Sequence, residues 1–184
     1  MAESAGRKCV YALGHSNRTL EDFLRILEAY GLRLIADVRT IPRSRHNPQF
    51  NSDALSASLA AHGIAYTPLK ELGGLRRPRP DSRNTAWRNA GFRGYADYME
   101  TPEFGTHLAA LESLAAARPT AILCAEAVPW RCHRSFIADA LLARGWQVEQ
   151  ILSTTKSHPH KLTPFAHIDN QRVTYPGLLT RSPD

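Results

Sequence analysis

Five short apolar runs, separated by stretches of helical periodicity, set the strongest limit on what this chain can fold into. The runs are Cys9–Leu13, Leu34–Val38, Ile64–Leu69, Thr120–Cys124 and Gln147–Leu152. Each has strand length. Between the first two, Phe23, Ile26, Leu27 and Tyr30 share one helical face, and Thr19-Leu-Glu-Asp22 opens that helix like a capping box. Further helices are expected from Asn51 or Ser52 to His62, from Gly94 onward, from Pro102 to Ala117 and from Cys132 to Arg144. Gly31, Gly63 and Gly145 suit the stops. Strands alternating with helices predict an α/β fold, with a mostly parallel sheet and helices on both faces. The length of 184 residues suits a single domain. Residues 1–7 and 179–184 read as loose ends, and the tail with His158-Pro-His160 and His167 as irregular.

In such sheets ligands sit outside the carboxyl ends of the strands. Gly14-His15-Ser16, Asp37-Val38-Arg39 and Cys124-Ala125-Glu126 each follow an expected strand, so all three should converge on one sheet edge. The helix that Cys132-His133-Arg134 opens begins on the same edge. Residues 70–93 differ in texture: Arg76-Arg77-Pro78-Arg79-Pro80 is followed by Trp87, with few core residues. They read as a long Arg/Pro-rich loop, either a functional surface or a lid.

Charge narrows the partners. Arg39 to Arg93 carries ten Lys/Arg against three Asp/Glu, a local +7, while the rest of the chain carries −1. That suits nucleic acid or a phosphorylated small molecule, or a merely solvated Arg-rich surface. No apolar run approaches the ~18 residues that span a membrane. Met1–Gly6 lacks the order of a signal peptide. Three cysteines do not suggest a disulfide framework, so free thiols in a cytoplasmic setting are expected.

The motifs carry chemistry of three kinds. Glu126, His15 and His133 are candidates for proton transfer, and Cys132 for a nucleophile whose pKa a helix N-terminus and neighbouring arginines would lower. Ser16, Asp37, Arg39, Ser44, Arg45 and Arg134 are candidates for holding an anion or substrate. Ser16 is equally read as a helix cap, Asp37 as a surface ion-pair partner, Cys132 as a small packing residue and Cys124 as a core thiol. Arg76, Arg77, Arg79, Trp87, Arg93 and Tyr95 interleave charge with rings, as a nucleic-acid surface does. Six residues separate Cys124 from Arg131, one more than in the tyrosine-phosphatase loop, and that loop's glycines are missing; a phosphatase is excluded. No spacing matches a zinc motif, so neither a metal nor a cofactor is expected.

Taken together, Gly14-His15-Ser16, Asp37-Val38-Arg39, Ser44-Arg45, Phe50, Leu72-Gly73-Gly74, Phe92-Arg93-Gly94-Tyr95-Ala96, Cys124-Ala125-Glu126 and Cys132-His133-Arg134 resemble the DUF488 family of bacterial and archaeal proteins. The pieces span about residues 10–152. The resemblance implies one Rossmann-like α/β domain with a shared site, but no reaction. The residues favour an enzyme acting on a nucleic-acid or nucleotide substrate by hydrolytic or glycosidic chemistry. Two alternatives stay open: a non-catalytic nucleic-acid-binding, for example DNA-binding, module, and a thiol-dependent sulfur-transfer or redox enzyme using Cys132.

Overall fold

The structure, a computed structural model, describes residues 8–178; the two ends read as loose, 1–7 and 179–184, lie outside the described residues. Six strands form one sheet: β1 (Cys9–Gly14), β2 (Leu34–Asp37), β3 (Ala65–Pro68), β4 (Thr120–Cys124), β5 (Gln147–Ile151) and β6 (Ser157–Pro159). Their order is β3-β2-β4-β1-β5-β6. The first five are parallel, and β6 runs antiparallel to β5. A small ribbon, β7 (His167–Asp169) with β8 (Arg172–Thr174), adds structure to a tail expected to be irregular.

Among the described residues the α-helices are α1 (Leu20–Ala29), α2 (Ser52–Ala61), α3 (Ala90–Met99), α4 (Pro102–Ala117) and α5 (Arg134–Ala143). Alternation along the strands sorts them onto two faces. Leu13, Ile35 and Leu123 meet Phe23, Ile26 and Leu27 of α1 and Leu55 and Leu59 of α2. Val10, Ala12, Ile122 and Val148 meet Tyr95 of α3, Leu108 of α4 and Phe136 of α5. Because helices cover both faces, β2 and β4 are buried throughout, as their unbroken apolar runs require. The Thr19 hydroxyl caps α1 by accepting from the Asp22 N–H at 3.1 Å, so Ser16 is not the cap.

This topology places the site. The chain leaving β1 crosses one face through α1 to β2, and the chain leaving β4 crosses the opposite face through α5 to β5. β1 and β4 are neighbours, so their carboxyl ends flank a topological switch point, where open α/β sheets bind ligands.

The Arg/Pro-rich stretch is shorter and better packed than a free loop. A one-turn helix, Lys70–Leu72, begins it, and α3 starts at Ala90, capped by Asn89, so Phe92 and Arg93 are helical. The Asp97 carboxylate gathers the stretch, accepting from the Arg79 N–H at 2.8 Å, the Ser82 hydroxyl at 2.6 Å and the Asn84 amide at 2.8 Å. A Cβ on Gly94 would stand 2.5 Å from the Arg77 carbonyl carbon; only glycine lets the strap lie this close to α3.

Candidate functional site

Leaving β4 at Cys124, the chain crosses the exposed residues Ala125–Ala127, makes one helical turn at Pro129–Arg131 and returns at Cys132. Cys132 and His133 therefore precede α5, which begins two residues later than expected. The excursion brings two thiols and an imidazole together. His133 Nε2 bonds the Val38 carbonyl at 2.8 Å. A carbonyl only accepts, so Nε2 carries the proton and Nδ1 is left as an acceptor. That Nδ1 lies 4.0 Å from Cys124 Sγ and 3.8 Å from Cys132 Sγ.

Arg134 completes the surroundings of Cys132. Its backbone N–H approaches the sulfur at 3.5 Å and its Nε–H at 3.4 Å, while its Nη2 donates to the Glu126 carbonyl. At 1% exposure this guanidinium is structural as well as electrostatic. The two thiols titrate as a pair. Cys132 is held well below the ordinary thiol range, first by the hydrogen bond from Cys124; burial opposes this, and the Arg134 charge reinforces it. The same bond, with burial, pushes Cys124 up. One proton on Cys124 thus stabilises one negative charge on Cys132.

Two glycines make the closure possible. A Cβ on Gly14 would lie 2.0 Å from the Glu126 carbonyl oxygen, and one on Gly74 would lie 3.2 Å from His133 Nδ1. Gly74 belongs to the Leu72-Gly73-Gly74 turn that caps the cluster, and the Thr40 hydroxyl donates to its carbonyl at 3.1 Å.

A second polar layer lies beside the first. The Asp37 carboxylate accepts from Arg39 Nη2 at 2.6 Å and Nε at 2.9 Å, and from the Tyr66 hydroxyl at 2.6 Å. Burial, and then the Asp37 carboxylate, push the Tyr66 phenol up, so it stays protonated as the donor. Arg39 Nη1 approaches His15 Nε2 at 3.3 Å, and His15 Nδ1 donates to the Ser16 carbonyl at 2.7 Å. The His15 ring stacks on Phe50 with centroids 4.3 Å apart. Burial, then the neighbouring Arg39 charge, lower the His15 pKa to about 4, although the Ser16 carbonyl favours the charged form. His15 is thus a neutral, fixed imidazole at neutral pH, not a free proton shuttle.

Several expected roles need correcting. Arg39 is no open anion clamp, because it is buried and bound by two N–H groups to Asp37. For the same reason Asp37 is not a surface partner. Tyr95 offers no stacking surface: it is buried, donates to the Leu72 carbonyl at 2.8 Å and packs against His133 and Phe136. Trp87 is half-buried among Phe92, Phe136, Phe165 and Tyr175. Arg76 lies 3.6 Å over the Tyr98 ring and donates to the Glu71 carbonyl at 2.6 Å; Arg79 pairs with Glu100 at 3.4 Å. Arg93 is half-buried, and Arg45 and Arg77 are exposed. Ser44 shapes its own loop, its hydroxyl accepting from the N–H groups of His46 and Asn47. Glu126 is exposed, and its carboxylate accepts from the Val128 N–H at 3.1 Å.

Sequence reasoning missed Arg18, whose guanidinium donates to the carbonyls of Gly14 and Leu152 and so ties the ends of β1 and β5. Nothing in its local sequence signals that. Spacing argued against a metal, yet the fold brings three soft donors together: Cys124 Sγ, Cys132 Sγ and a His133 nitrogen lie within 4.8 Å of one another. Those three could hold a thiophilic ion such as zinc with one position open.

The sequence model of DUF488, a domain of unknown function, matches residues 19–141 of the chain. No curated protein and no solved structure matches it.

Proposed function

Since the chain belongs to the DUF488 family, a domain of unknown function, its reaction has to come from its own site, and we propose sulfur-centred chemistry with Cys132 as the nucleophile and Cys124 as its resolving partner. The observation that carries this reading is the convergence of two Arg134 N–H donors on the Cys132 sulfur, with Cys124 Sγ and the acceptor nitrogen of His133 within 4.8 Å of it. Donors aimed at a sulfur stabilise a thiolate, and the thiolate is the attacking species.

The step is thiol–disulfide exchange. The Cys132 thiolate attacks one sulfur of a disulfide substrate; that S–S bond breaks and one half leaves as a thiolate. Cys124 then passes its proton to His133 Nδ1 and attacks the Cys132 sulfur, expelling the other half. Two electrons pass from the protein pair to the substrate, which leaves as two thiols after taking up two protons. Cys132 is 4% exposed, so the substrate sulfur reaches it past the 125–131 segment that Arg134 holds at the Glu126 carbonyl.

The test is incubation of the reduced protein with oxidised glutathione, read by intact mass and peptide mapping. The wild type should end as a Cys124–Cys132 disulfide. Cys124→Ser should stop at glutathione on Cys132. Modification confined to the half-buried Cys9 would refute the reading.

A second reading rests on the acceptor nitrogen of His133 facing both sulfurs, with its other nitrogen fixed by a carbonyl, the arrangement in which metal-ligating histidines are held. Cobalt titration decides it: thiolate charge-transfer absorption that rises to one equivalent and disappears in Cys132→Ser would favour a metal centre. Hydrolysis of a nucleic acid would fall to Glu126 without Arg39, which Asp37 already occupies. Release of nucleotide that depends on Glu126 but not on Cys132 would move the assignment there.

A further inference from the structure

Beside the Pro129–Arg131 turn lies a groove of about 880 Å³, between the start of α5, the β5–β6 hairpin and the 163–165 segment. Its walls are flat and stiff: Trp87, Trp130 and Phe165, braced by Pro129, Pro159 and Pro164. Trp130 is 69% exposed and Phe165 41%, so two large apolar side chains stand in solvent at one place, which marks a binding surface more often than chance. The lining includes Lys161 and His158 and, among the described residues, no carboxylate.

Two polar atoms in this wall have no partner. Gln150, 1% exposed, donates through Nε2 to His160 Nδ1 at 3.2 Å, and His160 is fixed in turn by Asp139 at 2.8 Å. That chain sets the amide, and its Oε1 is left without a hydrogen bond; so is the Trp87 indole N–H. Both residues line the same aromatic groove, and each holds one buried, unfilled atom, an acceptor on Gln150 and a donor on Trp87. Buried polar atoms are normally satisfied, so an orphaned pair in one pocket wall points to a ligand that fills them.

We propose that this groove binds a nucleotide. The base stacks on Trp130 and Phe165 and offers its hydrogen-bonding edge to Gln150 Oε1 and the Trp87 N–H. The phosphate lies toward Lys161 and His158. Nucleobases combine a planar face with adjacent donors and acceptors, and stacking on aromatic side chains is how proteins hold unpaired bases. Ser135, whose hydroxyl donates to the Cys132 carbonyl at 2.9 Å, also lines the groove, so an occupant would press on the turn that carries the nucleophile. The inference does not depend on the thiol chemistry, since its readout is binding alone.

Isothermal titration calorimetry with the four ribonucleoside monophosphates, and with ribose 5-phosphate as the probe without a base, tests it. At least one monophosphate should bind saturably, with ribose 5-phosphate at least tenfold weaker. Trp130→Ala, at an exposed position where folding is not at stake, should weaken binding tenfold or more. Gln150→Leu should weaken the bound monophosphate several-fold while leaving ribose 5-phosphate unchanged. No saturable binding by any monophosphate, equal binding of ribose 5-phosphate, or an unchanged affinity in Trp130→Ala would each overturn the proposal.

Discussion

Arg134 points two N–H groups at the sulfur of Cys132, from its backbone at 3.5 Å and its Nε at 3.4 Å, and spends a third on the Glu126 carbonyl. One residue therefore both stabilises a negative sulfur and closes the segment above it. Arg134→Gln removes the charge and the Nε donor together. The midpoint of its Cys132 alkylation profile should rise by about one pH unit, which is roughly 1.4 kcal/mol in the ionisation equilibrium, while the rate at neutral pH stays near its plateau. Stopped-flow alkylation with peptide mapping reads it.

The glycines make separable predictions. Gly14→Ala puts a Cβ 2.0 Å from a backbone oxygen that cannot swing aside. It should destabilise the protein by about 3 kcal/mol in urea denaturation. Gly74→Ala meets only the His133 ring, at 3.2 Å. Its stability loss should be under about 1 kcal/mol, whereas displacement of Nδ1, the acceptor for the Cys124 proton, should slow formation of the Cys124–Cys132 disulfide several-fold.

Asp37→Asn leaves the Arg39 guanidinium buried without its counter-charge. Loss of about 3–5 kcal/mol is expected. Adding Arg39→Met should recover much of that loss, because the cost lies in the uncompensated charge. Paired denaturation curves of the single and double variants check both statements.

His15 predicts a pH dependence. Its folded-state pKa is lowered to about 4, against about 6.5 in an unfolded chain, so the unfolded state binds more protons between those values. Stability is fully present above about pH 6.5 and is lost as pH falls toward 4, by about 2 kcal/mol after allowance for partial solvent screening. His15→Gln should flatten the unfolding free energy over that window relative to the wild type. An equal slope in both proteins would assign the loss to other groups.

Much of the frame was legible in the residues. Pro102–Ala117 and Thr120–Cys124 occupy the expected positions, because α4 has a proline start and a proline stop, and β4 is an apolar run buried on both faces. The convergence of His15, Arg39 and Cys124 followed from their each standing at the carboxyl end of an expected parallel strand. What stayed hidden is set by contacts distant in sequence. The charge of Arg39 was visible, but its capture by Asp37 depends on Tyr66 and His15 closing around the pair. Tyr95 reads as a surface ring beside arginines until the Leu72 carbonyl takes its hydroxyl. The meeting of Cys124, Cys132 and His133 belongs to no spacing motif; the 125–131 excursion creates it. The strap before α3 looked free because Asp97, which organises it, lies 13 to 18 residues further along.

The central claim is that Cys132 is a preformed thiolate, and the pH profile of its alkylation by iodoacetamide, in chelator-treated protein, tests it most directly. Burial scales the absolute rate but leaves the midpoint to report ionisation. The account predicts a Cys132 rate already level at neutral pH, with a midpoint well below the ~8.5 of a free thiol and an upward shift in Arg134→Gln. A rate that climbs through pH ~8.5 as a peptide thiol's does, and does so equally in both proteins, would contradict it.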